Sequence, residues 1–317
     1  MIGPRPHKRI PERKAVTIIA GFRCQEGIVV CADTQETSGT AKRSVSKLKC
    51  FNGPVANQDG TGMINPDLAL AICGAGDGPF IDKIASQAWD AVRYVSDVRQ
   101  AAERIESMIK ETYREFGQIY QAGACPHAEL VYGITIAGQS ALFQAIGPIV
   151  NEKDYASSGI GYYLADFLTS KMRGDEWLTI RQSIILAAYI LFQAKEHVEG
   201  CGGDSHIAVL RESESSGMVD FRHVEHLTEY LKYADKSTGE MLLTAADFST
   251  STAEVSKEIA QSVSLLKHLR KREIKRLESD RRIDFHLTLF GFKSPHDDLG
   301  LPIKATPSAS RSLEDQP

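Results

Sequence analysis

Thr17 opens an apolar run, Thr17-Ile18-Ile19-Ala20-Gly21. Sixteen residues on stands Asp33, in Val30-Cys31-Ala32-Asp33-Thr34, and fourteen beyond it Lys47, in Ser46-Lys47-Leu48. Gly74-Ala75-Gly76 follows, at a turn into a helical pattern. A hydroxyl, a carboxylate, an ammonium and a glycine turn are the group types from which nucleophilic catalysis is assembled. Each also has an ordinary use. Thr is a good strand former, Asp33 can end a strand, Lys47 can be a surface charge, and Gly74–Gly78 can simply open a helix. It is the order and spacing that make them candidates.

Other constellations carry less. Cys201 lies between His197 and His206, the residue types of a Cys/His hydrolase, but nothing in the sequence places them within hydrogen-bond reach. Packing at a helix end accounts for the thiol. Lys267-His268-Leu269-Arg270-Lys271-Arg272, with Lys275 and Arg276, is a basic run. Glu254, Glu258, Glu273 and Glu278 share its helical stretch, which reads as a solvated face. The six cysteines form no CxxC pair and no His cluster sits near them at zinc spacing. No metal or cofactor is expected.

The chain has 317 residues, 42% hydrophobic and 25% charged, enough for a sizeable core. A net charge of −4 gives no whole-chain basic field for nucleic acid. No run approaches the roughly 20 apolar residues of a membrane span; Ile184–Phe192 is the most apolar stretch. Met1–Lys14 is basic and proline-rich without an apolar centre, so it reads as an irregular leader. Most cysteines lie in apolar runs, as small hydrophobes in a reducing, cytoplasmic setting.

The elements that must position the candidates follow from periodicity. Val16–Cys24 and Ile28–Asp33 read as a hairpin across Gln25-Glu26-Gly27. Val45–Phe51 and Leu68–Cys73 read as a second strand pair, with a loop over Asn52–Asp67. Apolar residues at helical spacing predict two helices within 77–120. Strands return at Leu130–Ile136, Ala141–Ile146 and Asp154–Ser157. Helices over 161–172 and 180–199 follow, then strands at Ser205–Leu210 and Gly217–His223. Two sheets face to face, with a helix pair on each outer side, satisfy this order. Beyond 224, His226–Tyr233 reads as a short helix. Ser251–Asp280 reads as a long polar helix with a narrow stripe of Ile259, Val263, Leu266, Leu269 and Leu277. Arg281–Phe292 alternates like a strand, and 293–317 has the composition of a disordered tail.

Over 17–224 the sequence resembles the proteasome β-type subunits, within the N-terminal-nucleophile hydrolases. The resemblance rests on the Thr-apolar-Ala-Gly start, Gly27, Ala32-Asp33-Thr34, Ser46-Lys47-Leu48 and Gly74-Ala75-Gly76. Lys47 stands two residues closer than the family pattern, which requires a small deletion between Gly39 and Ser46. The resemblance implies an α+β fold, a four-layer αββα sandwich of two antiparallel sheets, here with a C-terminal helical extension. The implied divisions are a leader or propeptide at 1–16, the sandwich at 17–224, a partly helical extension at 225–292 and a tail at 293–317.

The resemblance also implies a mechanism, a threonine endopeptidase acting on polypeptides inside a ring-shaped homo-oligomer. The catalytic residues would be Thr17 as nucleophile, its freed α-amine as proton acceptor, and Lys47 paired with Asp33. The Gly76 N–H would be the oxyanion donor, and Ser158 and Cys201 would support the site. Thr37 would hold substrate backbone and Gly78 would line a side-chain pocket. A regulatory ATPase or cap that opens such a chamber is not identified by any residue. No nucleic acid and no membrane is expected as a partner.

The sequence departs from the pattern in four places. Ala15-Val16 precedes Thr17 where the family has Gly for self-cleavage, and a β-branched Val crowds the carbonyl to be attacked. Val198 stands where an Asp is expected, Cys201-Gly202-Gly203 where Ser-Gly-Gly is, and Ile160 shifts the register after Ser158-Gly159. Two alternatives therefore stand beside the peptidase: a catalytically silent structural subunit of the same fold, and an amidohydrolase on a small amide. The joint presence of Thr17, Asp33, Lys47 and Gly76 favours the enzyme.

Overall fold

The computed structural model describes residues 17–38, 41–56, 63–120, 125–174, 177–212 and 216–279. The leader before Thr17, the strand expected at Arg281–Phe292 and the tail at 293–317 lie outside the described residues.

The described residues are mixed α/β, with antiparallel sheets and six helices. β1 (Ile19–Cys24) and β2 (Gly27–Asp33) form the expected hairpin. β3 (Gln35–Ser38) and β4 (Ala41–Ser44) make a small ribbon; β5 (Leu48–Asn52) follows, then a second ribbon of β6 (Val55–Ala56) and β7 (Met63–Ile64). β8 (Ala69–Gly76) leads into α1 (Gly78–Val92) and α2 (Val98–Ile119). β9 (Ala128–Ile136), β10 (Gln139–Ile146), β11 (Ile149–Lys153) and β12 (Tyr155–Ser158) come next, then α3 (Tyr162–Met172) and α4 (Ile180–His197). β13 (Ser205–Arg211), β14 (Gly217–Met218), α5 (Phe221–Ala246) and α6 (Thr252–Ser279) complete the order.

One sheet runs β12-β1-β2-β13-β14 and the other β11-β10-β9-β8-β5. Strand alternation sorts their side chains. On β1 and β2, Ala20, Phe22, Val29 and Cys31 face a cluster shared with Leu168 of α3 and Ile184, Ala187 and Leu191 of α4. On β8, Leu70 and Ile72 face Ile84 and Ala88 of α1 and Ile105 and Ile109 of α2. The remaining faces meet each other: Ile19, Ile28, Val30 and Ala32 pack with Ala69, Ala71, Cys73, Val131 and Leu142. Each large side chain so buried contributes about 1.5–3 kcal/mol.

The helices start where local chemistry permits. Asp97 accepts from the Gln100 N–H (2.8 Å) at the start of α2. Thr179 and Gln182 form a reciprocal capping box at α4.

Three expectations are corrected beyond 216. The strand read over Gly217–His223 is only Gly217–Met218, because Asp220 caps a helix that takes in 221–223. The short helix read over His226–Tyr233 runs from Phe221 to Ala246. On α6, Ile259 and Val263 are exposed; the buried face is Ser262, Leu269 and Glu273. That face meets α5 partly through polar contacts, with the His226 ring against the Glu273 carboxylate at 2.9 Å, which an apolar stripe does not reveal.

Candidate active site

Pairing of β1 with β2 delivers Thr17 to the end of β2. The Asp33 N–H donates to the Ile18 carbonyl (3.2 Å), so the residue entering one strand lies beside the residue leaving the other. Asp33 is fully buried, and its carboxylate is satisfied on both oxygens. Oδ1 accepts from the Thr17 hydroxyl, from the Ile18 N–H (3.2 Å) and from Lys47 Nζ (2.9 Å). Oδ2 accepts from the Gly202 N–H (3.0 Å).

Lys47 arrives from the segment between β4 and β5, which the Val45 N–H ties to the Thr34 carbonyl (2.8 Å). Its ammonium donates to the Thr17 hydroxyl oxygen (2.5 Å), to Asp33 and to the Gln35 carbonyl. The hydroxyl thus donates to a carboxylate and accepts from an ammonium. A cation on that oxygen favours the alkoxide character an attacking hydroxyl must develop.

The supporting candidates fall around this triad in different ways. Ser158 is buried opposite Ile19 on β12, and its hydroxyl accepts from Gln144 Nε2 (3.1 Å). Gly159 follows with φ +86°, and a side chain there would strike the Thr17 carbonyl at 2.3 Å. Cys201 is buried, and burial with the nearby Asp33 charge pushes its thiol up to about 12. It is therefore a neutral packing group near neutral pH, not a ready thiolate. His197 is exposed, and His206 meets the Ser46 hydroxyl at 3.3 Å, so neither supports the Cys/His arrangement. Val198, where the resemblance implies an Asp, is the buried C-cap of α4.

Gly76 and Gly78 stand on the other sheet, at the junction of β8 and α1. Gly76 has φ +129°, and a side chain there would meet the His127 carbonyl at 2.2 Å. An added Cβ at Gly78 would lie 3.7 Å from the Glu36 carboxylate, an ordinary contact. Thr37 sits on β3 in register with Lys42.

Several residues at the site gave no sequence signal. Lys195 of α4 donates to the Ser205 hydroxyl (2.7 Å), and burial lowers its pKa although Asp33 and Asp204 oppose the shift. Burial likewise lowers the pKa of His206, which the sequence did single out beside Cys201. Glu129 accepts from the Gly159 N–H (3.1 Å) and Gln144 holds Ser157 and Ser158. A lone polar residue within an apolar strand has no motif to betray it. Among the described residues, no cluster of His, Cys, Asp or Glu is arranged to hold a metal ion, and no helix is long and apolar enough to cross a membrane.

No protein-family model and no curated protein matches the chain. Solved structures do. Anbu from Yersinia bercovieri, described as an ancestral beta-subunit, matches with a TM-score of 0.56 and 16% identity, over 72% of this chain and 96% of that one. Anbu from Hyphomicrobium sp. strain MC1 matches with a TM-score of 0.52 and 15% identity, over 71% and 97%. A mutant of the latter, Gly-1, gives 0.54 and 14% over 71% and 96%. The chain therefore shares a proteasome-like fold with Anbu. These findings correct the resemblance to the proteasome β-type subunits: no model of that family matches, and the structural neighbours are Anbu proteins. The quoted motifs are short, and they do not select that family.

Proposed function

We propose that this chain is a threonine-type peptidase on a proteasome-like, four-layer αββα N-terminal-nucleophile scaffold spanning 17–224. The contact of Lys47 Nζ and the buried Asp33 carboxylate with the Thr17 hydroxyl carries this reading. Removal of Met1–Val16 would free the Thr17 α-amine, a base with an ordinary pKa of about 8. The Thr17 Oγ would then attack a peptide carbonyl as its proton passes to that amine. The carbonyl π pair moves onto oxygen, where the Gly76 N–H would stabilise the charge. Collapse expels the leaving amine, which takes the proton, and leaves an ester on Thr17. Water then hydrolyses the ester. Thr37 would hold the substrate backbone, Gly78 would leave room for its side chain, and Ser158 and Cys201 would frame the nucleophile. Copies of the chain would assemble in a reducing, cytoplasmic compartment, with α5 and α6 as an extension of the scaffold.

Two features favour a second reading, a silent subunit. The sequence puts a β-branched Val16 before the bond to be cut, and Val198 brings no carboxylate to the site. Intact mass and N-terminal sequencing of the purified full chain decide between them. The active enzyme loses the sixteen residues before Thr17 and begins Thr-Ile-Ile-Ala-Gly. Thr17→Ala then abolishes both processing and peptide hydrolysis. A chain that stays at full length without hydrolysis, yet is cut and activated by Val16→Gly, is a silenced subunit. Hydrolysis by an uncut chain overturns the N-terminal threonine mechanism.

A further inference from the structure

Two turns, Gly159–Gly161 beside Thr17 and Gly76 at the end of β8, are both held by residues at the start of β9. The His127 carbonyl accepts from the Asp77 N–H (2.9 Å) and lies against Gly76, fixing the turn between β8 and α1. Two residues on, Glu129 reaches the other sheet. Alternation along β9 sends Leu130 and Tyr132 toward α1 and α2, and Val131 toward β1 and β2. Glu129 shares the parity of Val131, so its side chain crosses between the sheets at their open end. There Oε2 accepts from the Gly159 N–H (3.1 Å), and Oε1 meets the ring of His127 (3.3 Å). Among the described residues, no lysine or arginine pairs with this carboxylate.

Gly159 connects Glu129 to Thr17. Its missing side chain lets the backbone press against the Thr17 carbonyl, and the Gly161 N–H donates to that same carbonyl (3.3 Å). The turn from β12 into α3 is thus a clamp on the backbone of the nucleophile. β12 ends an outer strand of its sheet, so the clamp takes its support from the facing sheet. Gln144 holds the carbonyl of Ser157 (2.8 Å) and the hydroxyl of Ser158 (3.1 Å), and Glu129 holds the N–H of Gly159.

We propose that Glu129 is a positioning residue for Thr17: its carboxylate fixes the Gly159–Gly161 clamp and, through His127, couples that clamp to the Gly76 turn. The inference rests on the peptidase reading for its kinetic consequence. A carboxylate accepting a backbone N–H is a strong, directional bond, and misplacing a nucleophile by about 1 Å costs on the order of 10²-fold in rate.

The test compares Glu129→Ala and Glu129→Gln in the full chain, using peptide hydrolysis and amide hydrogen exchange over 155–164. The alanine variant should lose about 10²-fold in kcat at little change in KM, with faster exchange at Gly159–Gly161 and a melting transition that is lowered but still cooperative. The glutamine variant should recover most of kcat and protection, since its amide oxygen accepts the same bond. An alanine variant as fast and as protected as wild type overturns the inference, as does a glutamine variant no better than alanine. If wild type cleaves no peptide, the peptidase reading falls. The exchange arm then decides the inference alone: faster exchange in alanine rescued by glutamine supports the clamp, and unchanged exchange overturns it.

Discussion

Asp33 and Lys47 are unequal partners. The carboxylate has other donors, the Thr17 hydroxyl and the N–H groups of Ile18 and Gly202. The ammonium's remaining partners, the Gln35 carbonyl and the Thr17 hydroxyl, are neutral. Removing Lys47 therefore leaves an anion still solvated by protein dipoles. Removing the Asp33 charge leaves an ammonium, only 12% exposed, with no anion beside it. Asp33→Asn should cost about 3–5 kcal/mol, the usual loss for breaking a buried ion pair from one side. Lys47→Ala should cost about 1.5–3 kcal/mol, that of a lost charged hydrogen bond. Urea melts of the two variants should keep that order, and equal midpoints would place both groups in better solvent contact than their burial implies.

At the scale of elements, the apolar strands and the four helices packed on the sheets were legible because their periodicity is set by burial. Leu70 and Ile72 alternate with Ala71 and Cys73 because each pair serves a different cluster. What the sequence did not reveal has polar faces. Gln35–Ser38 and Ala41–Ser44 pair as a ribbon outside both main sheets, and Ile149–Lys153 is an outer strand with exposed side chains. Neither buries enough apolar surface to leave an alternating pattern. α5 is the reverse case. The strand expected over Gly217–His223 takes in its first three residues, yet the Asp220 side chain accepts from the Arg222 N–H and starts a helix. The helix then lays Val224, Leu227 and Leu231 on the cluster around α4, and Asp235 receives the hydroxyl of Tyr189 and the amide of Gln193. Each apolar side chain covered there contributes about 1.5–3 kcal/mol. A chain ending at Asp220 should therefore melt well below the full chain, whereas one ending at Ser251, which keeps α5, should lose less. If calorimetry finds the shorter chain as stable as the full one, α5 is an appendage and not part of the core.

At the scale of the whole molecule, the two outer helix pairs present different surfaces. α2 shows charge, with ion pairs Arg99–Glu103, Lys110–Glu106 and Arg114–Glu111 along its length. α3 shows rings: Tyr162, Tyr163 and Phe167 are more than half exposed, with Met172 on the same helix and Ile185 on α4 also exposed. Single exposed apolar residues need no explanation, but rings grouped on one helix are the kind of surface a partner covers. A second copy of this chain is the occupant that fits the proposed assembly. The charged pairs along α2 suit a rim better than the centre of an interface. Light scattering on the full chain at micromolar concentration should therefore give a mass well above that of a dimer. Tyr163→Glu with Phe167→Glu should lower that mass while leaving the fold's circular dichroism unchanged, because neither side chain lies in the described core clusters. A monomeric wild type would end the assembly proposal. An assembly untouched by both substitutions would return the contact to the charged face of α2, where its mass should fall with added salt as surface ion pairs are screened.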